Sequence, residues 1–267
     1  MMVESKMPFR LVQLTDPHLF ADPSGQLLGI TTRRSFESVL TLALSGSTPP
    51  DALLLTGDLV HDETPAGYRY LGERLRRTGV PHFCIGGNHD VPALMTEHLD
   101  SVAPGPLALR RLGHWNLILL DSSIPESDGG SLTPTQLTQL AQLLDDERAP
   151  TLIALHHHPT AIGSAWIDRI GVANGAELLA LCEGHAQVKA ILFGHIHQDF
   201  SARHGGYLLL GAPSTCLQFR PGSPEFAIDA CSPGYRELRL HPDGRLETRV
   251  ARLEQYSEMP LYLAGGY

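Results

Sequence analysis

The sequence predicts an α/β protein in which two packed β-sheets, flanked by helices, form a single domain. Three observations support this class. Apolar runs typical of β-strands alternate with helical patterns, polar residues follow directly after five of those runs, and the part after residue 200 contains short strands separated by Gly, Pro and Ser. Such an arrangement is typical of open sheets whose functional side chains lie at the carboxyl ends of the strands.

Seven apolar runs are predicted to be strands of the two sheets. Those that precede polar clusters are Phe9–Leu14, Ala52–Leu55, Phe83–Ile85, Leu152–Leu155 and Val188–Phe193. The other two, Leu107–Leu112 and Trp115–Leu120, are predicted to form a hairpin that turns at Gly113-His114.

Five segments between the strands are predicted to be helices. In the first, an apolar stripe with the spacing i, i+3, i+4 and i+7 is formed by Phe36, Val39, Leu40 and Ala43. Three further helices are predicted at Ala66–Arg77, Pro92–Leu99 and Ala176–Glu183. A fifth begins with Thr133 as N-cap, Pro134 in the first position and Gln136 completing a capping box. Its apolar face is formed by Leu137, Leu140, Ala141 and Leu144.

The chain is predicted to be one domain over residues 1–267, because it contains no linker, repeat or low-complexity segment. Its metal-ligand core spans about residues 9–200. Residues 201–267 form a β-rich part with strands at Tyr207–Leu210, Tyr235–Leu240 and Leu246–Leu253. This part is expected to supply strands and a lid.

Composition excludes several classes of protein. A net charge of −9 argues against a large nucleic-acid interface, which would need clustered Lys and Arg. It does not exclude a small anionic substrate, since bound divalent cations reverse the local charge. No apolar run reaches the roughly 18–20 residues of a membrane span, and residues 1–10 have no signal-peptide pattern.

The cysteines are too widely separated for a disulfide framework or a CxxC metal site. They are Cys84, Cys182, Cys216 and Cys231. Reduced thiols are the simplest interpretation, and a cytoplasmic location is therefore expected.

Seven residues that follow the five strands form a candidate dinuclear metal site. They are Asp16, His18, Asp58, Asn88, His156, His195 and His197. One cluster alone has a simple structural explanation, but structural need does not explain five clusters in this order. Carboxylate, imidazole and amide ligands together suit Mn, Fe or Zn better than Ca or Mg. The chain is therefore predicted to be a metal-dependent hydrolase.

The individual ligands have different expected roles. Asp16 and His18 have i, i+2 spacing and can hold one cation together, whereas the same spacing in GHIH can give one ring to each cation. The two oxygens of Asp58 can bridge both cations, and Asn88 adds an oxygen without a charge that would repel phosphate. Of three consecutive histidines, His156 is the expected ligand because it directly follows a strand, and His157 and His158 are expected to shape the pocket.

The ordered motifs resemble those of the calcineurin-like metallophosphoesterase superfamily over residues 16–197, and those of its bacterial class III 3′,5′-cyclic-AMP phosphodiesterases over nearly the whole chain. The motifs are TDPHLF, TGDL, GNHD, HHHP, GHIHQ, and the later segments Pro213–Phe219 and Ser232–Arg236. No metal chemistry requires the last two segments, so they favour the subfamily. The resemblance implies a four-layer αββα sandwich of two mixed sheets flanked by helices.

The resemblance also implies two divalent metal ions per subunit, typically Fe(II) or Mn(II). Its ligands for the first ion are Asp16, His18, Asp58 and His197. Its ligands for the second ion are Asp58, Asn88, His156 and His195. The residues expected to contact the substrate are His18, Asp58, Asn88, His89 and His197.

The expected reaction is attack of a metal-bridging hydroxide on 3′,5′-cyclic AMP, which opens the ring to give 5′-AMP. His89 is the candidate to contact the phosphate and protonate the leaving oxygen, and Asp90 is the candidate to orient its imidazole. Seven other histidines are interpreted as surface or turn residues: His61, His82, His98, His114, His185, His204 and His241.

Two alternatives remain at this stage. A phosphodiesterase or phosphatase of the same fold with another substrate, such as a glycerophosphodiester or a 2′,3′-cyclic nucleotide, would have the same metal site. A non-catalytic metal-binding scaffold would lack ligands or the GNHD histidine, and here all of them are present. The expected partner is a small cyclic nucleotide, without nucleic acid or membrane, for a monomer or homodimer.

Overall fold

The computed structural model describes residues 7–46, 48–103 and 105–261, so both ends of the predicted domain lie partly outside the described residues. The elements in chain order are β1 (Phe9–Leu14), β2 (Gln26–Leu27), β3 (Ile30–Thr31), α1 (Thr32–Leu44), β4 (Ala52–Thr56), α2 (Pro65–Arg76), β5 (His82–Ile85), α3 (Pro92–His98), β6 (Leu107–Leu112), β7 (Trp115–Leu120), α4 (Pro134–Asp146), β8 (Thr151–Ala154), α5 (Ala165–Asp168), α6 (Gly175–Glu183), β9 (Val188–Phe193), β10 (Phe200–His204), β11 (Tyr207–Gly211), β12 (Gln218–Phe219), β13 (Ile228–Asp229), β14 (Gly234–Leu240) and β15 (Leu246–Arg252).

The longer strands pair into two mixed sheets. The first has the order β15-β14-β1-β4-β5, in which β1, β4 and β5 are parallel and β14 and β15 pair antiparallel. The second has the order β10-β11-β9-β8-β7-β6, with a parallel centre and an antiparallel strand at each edge. The predicted pair of mixed sheets is confirmed.

Alternation along the strands divides the apolar side chains into three cores. In β4, Leu54 packs between the two sheets, while Leu53 and Leu55 face the layer that contains α1 and α2. In β8, Leu152 likewise faces the other sheet, and Ile153 faces the layer of α4 and α6. Helices therefore cover the outer face of each sheet, which is the expected four-layer αββα arrangement.

The predicted helix start at residue 133 is confirmed in detail. The Thr133 hydroxyl accepts from the Gln136 backbone N–H at 3.2 Å, and the Gln136 amide oxygen accepts from the Thr133 N–H at 2.8 Å. This reciprocal pair satisfies two donors that a helix start leaves unpaired. The Gln136 amide also donates to the backbone oxygens of Pro106 and Asp121, so the cap is tied to the neighbouring hairpin.

The C-terminal part contributes strands to both sheets, and strands are present at its three predicted positions. The strand β14 lies beside β1 in the first sheet, and β11 lies beside β9 in the second. The short elements β2, β3, β12, β13 and α5 were not predicted, because two to four residues are too few to show a period. The lid stays a prediction.

The cysteines and the lengths of the helices can be compared with the expectations from composition. All four cysteines are free thiols, and three of them are buried. Within the described ranges, the helices are too short or too polar to cross a bilayer.

Candidate metal centre

The loops that follow β1, β4, β8 and β9 meet at one end of the two sheets. The backbone N–H of Asp16 donates to Gly57 O at 3.1 Å, and that of Gly194 donates to His156 O at 3.0 Å. The buried Gln13 amide joins the sheets below the site, because it donates to Thr56 Oγ1 and to Phe193 O, each at 3.1 Å. The strand ends of both sheets are thus held together before any ligand is considered.

All seven predicted ligands lie in this one site. The Nε2 atom of His18 is 3.3 Å from that of His197, which is 3.5 Å from Asp16 Oδ1. The Nε2 atom of His156 is 3.1 Å from Asn88 Oδ1. His195 lies beside them, with its ring centroid 5.1 Å from that of His156 and its backbone N–H donating to Asp16.

Asp58 lies between the two groups of ligands. Its Oδ2 is 3.7 Å from His18 Nε2, and its Oδ1 is 3.4 Å from His156 Nε2. Each carboxylate oxygen therefore faces a different group of ligands. The side chain is 3% exposed, so water does not compete for these oxygens.

Backbone strain is concentrated in these loops. Five of the seven predicted ligands have a left-handed backbone, which non-glycine residues adopt rarely and at a cost of about 1–3 kcal/mol each. Their φ angles are 50° for Asp16, 45° for His18, 50° for Asp58, 65° for His195 and 46° for His197. Strain at so many polar residues in one place indicates a functional site.

Two glycines explain why the motifs contain Gly before the ligand. Gly57 has a φ of 96°, and a Cβ atom there would lie 2.3 Å from His156 Nδ1. A Cβ atom on Gly87 would lie 2.1 Å from Asp58 Oδ1. A side chain at either position would displace a predicted ligand, so the glycines permit close packing of the loops.

The histidine rings are oriented for cation binding. The Nδ1–H groups of His156 and His197 donate to Thr56 O at 2.8 Å and to Leu217 O at 2.9 Å. These bonds direct each Nε2 into the site, as in metal-binding histidines. His195 Nε2 is buried and has no hydrogen-bond partner in the described part of the chain. A cation would satisfy that atom, so the residues present fit a metal centre.

The electrostatics also fit a cationic ligand. Burial lowers the pKa of His18 and of His195 well below the ordinary value, so both rings are neutral and can bind a cation. Burial also lowers the pKa of His156, but Asp58 outweighs it and raises that pKa to about 9. A cation must therefore displace the proton between His156 and Asp58, and its binding will release protons.

His89 lies at the rim of the site. Its backbone N–H donates to Asp58 Oδ1 at 3.0 Å, and its ring centroid is 5.2 Å from that of His18. The ring is half-buried, so it can be reached by a substrate.

Asp90 is held by donors from two loops. Its carboxylate accepts from the backbone N–H groups of Leu59, Val60 and Gly87 and from the Tyr68 hydroxyl, at 2.9–3.2 Å. Through these bonds Asp90 joins the GNHD loop to the TGDL loop. Its expected role in orienting the His89 imidazole stays a prediction.

Sequence analysis missed several residues around the centre. His61 lies in a partly exposed bend, but its ring is 5.3 Å from that of His18, which was not predicted from the sequence. Away from the centre, at the start of β5, His82 is 8% exposed, so its interpretation as a surface or turn residue is wrong. Phe219 stacks on His197 with centroids 4.1 Å apart. The position of His61, three residues after Asp58 in one loop, was the available signal.

His157 and His158 lie beside the predicted ligands, and their expected role in shaping the pocket stays a prediction. The Nδ1 atom of His157 lies 2.8 Å from Ser122 Oγ, and its Nε2 lies 3.2 Å from Asp128 O. His158 stacks on His195 and lies 3.6 Å from Asp168 Oδ1. Both rings support ligands from behind.

The chain is similar to one family of known proteins and to several of its curated members. The family described as calcineurin-like phosphoesterase matches residues 9–199. The chain is 39% identical over 265 residues to a 3′,5′-cyclic adenosine monophosphate phosphodiesterase of Haemophilus influenzae, covering 98% of this chain and 96% of that protein. It is 40% identical over 252 residues to a 3′,5′-cyclic-nucleotide phosphodiesterase of Nostoc, covering 94% and 95%. With a 3′,5′-cyclic adenosine monophosphate phosphodiesterase of Escherichia coli the identity is 36% over 260 residues, covering 97% and 94%.

Solved structures share the fold. A dimetal phosphatase from Danio rerio superposes with a TM-score of 0.65 at 14% identity, covering 97% of this chain and all of that chain. A purple acid phosphatase from yellow lupin seeds also gives 0.65 at 13% identity, covering 91% of this chain and 51% of that chain.

Proposed function

The chain belongs to the calcineurin-like phosphoesterase family, and on that premise we propose that it hydrolyses 3′,5′-cyclic AMP to 5′-AMP with two divalent metal ions. The observation on which this proposal mainly depends is the extent of the likeness. Identity of 36–40% with cyclic-nucleotide phosphodiesterases covers 94–98% of this chain, including the C-terminal part that lies beyond the metal core. A likeness confined to the metal ligands would have indicated only a phosphate ester.

We assign the seven ligands to two cations that share Asp58. The first cation is held by Asp16, His18, Asp58 and His197, and the second by Asp58, Asn88, His156 and His195. Support comes from Asp58, whose two oxygens face His18 and His156 at 3.7 and 3.4 Å. When bound, two such cations supply Lewis acidity that lowers the pKa of a water nucleophile and neutralises the phosphate charge.

The chain itself positions and protonates the substrate. The phosphate contacts are assigned to His18, Asp58, Asn88, His89 and His197. The backbone N–H of His89 donates to Asp58 Oδ1 at 3.0 Å. This bond fixes the His89 backbone, so its imidazole starts from a fixed position beside the proposed cations. The His89 imidazole donates a proton to the 3′-oxygen as the P–O bond breaks, because an unprotonated alkoxide is a poor leaving group.

Fe(II) or Mn(II) is proposed as the metal. The ligand set combines carboxylates and an amide with four imidazoles and so suits Mn, Fe or Zn, and among these the resemblance to class III phosphodiesterases implies Fe(II) or Mn(II). Imidazole suits transition metals, whereas Mg²⁺ and Ca²⁺ prefer shells made of oxygen.

Product analysis tests the function. The purified protein is stripped with a chelator, reloaded separately with Fe(II), Mn(II) or Mg(II), and given cyclic AMP, cyclic GMP, 2′,3′-cyclic AMP or an aryl phosphodiester. We expect metal-dependent release of 5′-AMP, with a preference for the 3′,5′-cyclic substrate. Cleavage of the aryl diester alone would retain a dinuclear hydrolase and reject cyclic AMP as its substrate.

A further inference from the structure

His61 is not one of the predicted ligands, but its side chain contacts one of them, His18. His61 follows Asp58 by three residues, and its backbone N–H donates to Leu19 O at 2.8 Å. Two further backbone bonds, from His18 to Asp58 O and from Leu19 to Leu59 O, join the same two loops at 3.0 Å each. These bonds fix the loop of His61 against the loop of His18, so the approach of the two rings is built into the backbone.

The contact between these rings involves the nitrogen of His18 that faces away from the site. His61 Nδ1 lies 3.3 Å from His18 Nδ1. The other nitrogen of His18, Nε2, faces Asp58 and His197. In His156 and His197 the corresponding Nδ1 atom is held by a backbone carbonyl, but in His18 it is held by a side chain.

We propose that His61 is a positioning residue that accepts a hydrogen bond from His18 and so fixes the ring and tautomer of that ligand; this inference rests on the proposed metal site. When His18 Nε2 donates its lone pair to a cation, the proton of the neutral ring is on Nδ1. His61 Nδ1 lies 3.3 Å away and accepts this proton when the proton of its own neutral ring is on Nε2. Partners of this kind raise ligand basicity and restrict ring rotation.

The surroundings of His61 restrict its own ring. Phe20 lies against it with centroids 5.1 Å apart, and the His89 ring lies 5.0 Å away at an interplanar angle of 36°. His61 therefore lies between His18, a proposed ligand, and His89, the proposed proton donor. The same ring that orients the ligand also limits where the His89 imidazole can go.

Two substitutions distinguish the contribution of the His61 hydrogen bond from that of its aromatic ring. His61→Phe keeps an aromatic ring against Phe20 but removes the acceptor. His61→Asn removes the ring but places an amide oxygen near the former Nδ1 position. His114→Phe, at an exposed turn of the β6–β7 hairpin, is the matched control for loss of a histidine.

The measurement is competition for Mn(II) between the protein and a chromophoric chelator, with circular dichroism to establish that each variant is folded. We expect His61→Phe to bind one of its two cations about 10–100-fold more weakly, the usual scale for loss of such a partner. His61→Asn should remain within a few-fold of wild type, and His114→Phe should be unchanged. Equal affinity in wild type and His61→Phe, or an equal loss in the Phe and Asn variants, would overturn the acceptor role.

This readout does not depend on the substrate. If the protein bound two cations but did not cleave cyclic AMP, the proposed function would fail while the affinities would still decide the role of His61. If cyclic AMP is cleaved, kcat and KM add a second criterion. If the His61 ring also positions the His89 imidazole, the His61→Asn variant, which lacks that ring, should have a lower kcat even though its metal affinity is retained.

Discussion

At the scale of single residues, the arrangement around Asp58 explains much of the site. Its backbone is strained, its neighbour Gly57 leaves no room for a side chain, and its two oxygens face different groups of ligands. Burial opposes ionisation of Asp58, yet the charge of the protonated His156 imidazole and its hydrogen bond bring the pKa of Asp58 well below the ordinary value. The carboxylate is therefore charged at neutral pH and available to two cations.

Replacing Asp58 by Ala should remove metal and activity together. Both proposed cations lose a ligand in this variant, and the buried imidazoles that faced the carboxylate lose their partner. Metal content per chain, measured by atomic emission after gel filtration, should fall from two toward zero. A variant that retains both cations would contradict the bridging role.

Replacing His89 by Ala should lower turnover without changing metal binding. The imidazole is not among the proposed ligands, so metal content should be unchanged. Turnover of cyclic AMP should fall by roughly 10²-fold or more, the usual scale for loss of a general acid. The exposed His114→Ala variant serves as the control, and wild-type turnover in His89→Ala would remove His89 from the mechanism.

At the scale of elements, strands β1, β14 and β15 are joined by a carboxylate that is almost fully buried. Glu237 on β14 is 1% exposed and accepts from Arg10 at 3.0 Å and from Arg249 at 3.2 Å. Arg239 donates to its other oxygen at 3.2 Å. Burial raises the pKa of Glu237, but these arginines outweigh it and the pKa lies below the ordinary value.

The Glu237→Gln variant should be less stable at neutral pH by about 1–3 kcal/mol, because three cations lose a buried partner while two of them stay solvated. A group whose pKa is lowered on folding stabilises the protein above its unfolded pKa. That contribution is lost as the pH falls through the folded pKa. The difference in unfolding free energy between wild type and variant should therefore shrink below about pH 4.5, the ordinary value for Glu.

Urea unfolding at pH 7 and at pH 4 measures this difference. Glu73→Gln is the matched control, because its pair with Arg77 is exposed and should contribute less than about 1 kcal/mol. A Glu237→Gln deficit that stayed constant between the two pH values would show that packing, and not charge, is responsible.

At the scale of the whole molecule, the metal centre joins the two sheets. The proposed ligands follow β1, β4 and β5 in the first sheet and β8 and β9 in the second, so each proposed cation would have ligands from both. Binding to the folded state alone stabilises it by mass action, by about 2.7 kcal/mol when the free ligand is at 100 times its Kd. The cations should therefore stabilise the packing of the sheets as well as serve the reaction.

Removing the metal should lower the thermal midpoint by roughly 5–10 °C, given that 1 kcal/mol corresponds to about 2–4 °C at this chain length. Differential scanning calorimetry with and without chelator, followed by readdition of Mn(II), measures the change. The Asp58→Ala variant should not respond to either treatment. An unchanged midpoint in fully stripped wild type would show that the sheets pack independently of the metals.

Much of the fold followed from local patterns. The hairpin strands, the capping box of α4 and the strands before the ligands depend on apolar periodicity and on neighbouring residues, which the sequence contains directly. The five clusters also predicted that Asp16, Asn88 and His195 meet, because parallel strands bring their carboxyl ends to one edge. The sequence by itself therefore determined the class of fold, the set of candidate ligands and the resemblance to cyclic-nucleotide phosphodiesterases.

Only the tertiary structure decided how the side chains near the ligands are used. Asp90 follows His89 in the chain, yet its carboxylate accepts from the TGDL loop; His61, interpreted as a surface or turn residue, meets His18. These outcomes depend on hydrogen bonds between loops far apart in sequence. The sequence predicts which strand a residue follows. The direction of its side chain depends on contacts between loops that are far apart in the sequence, and local sequence patterns do not predict such contacts.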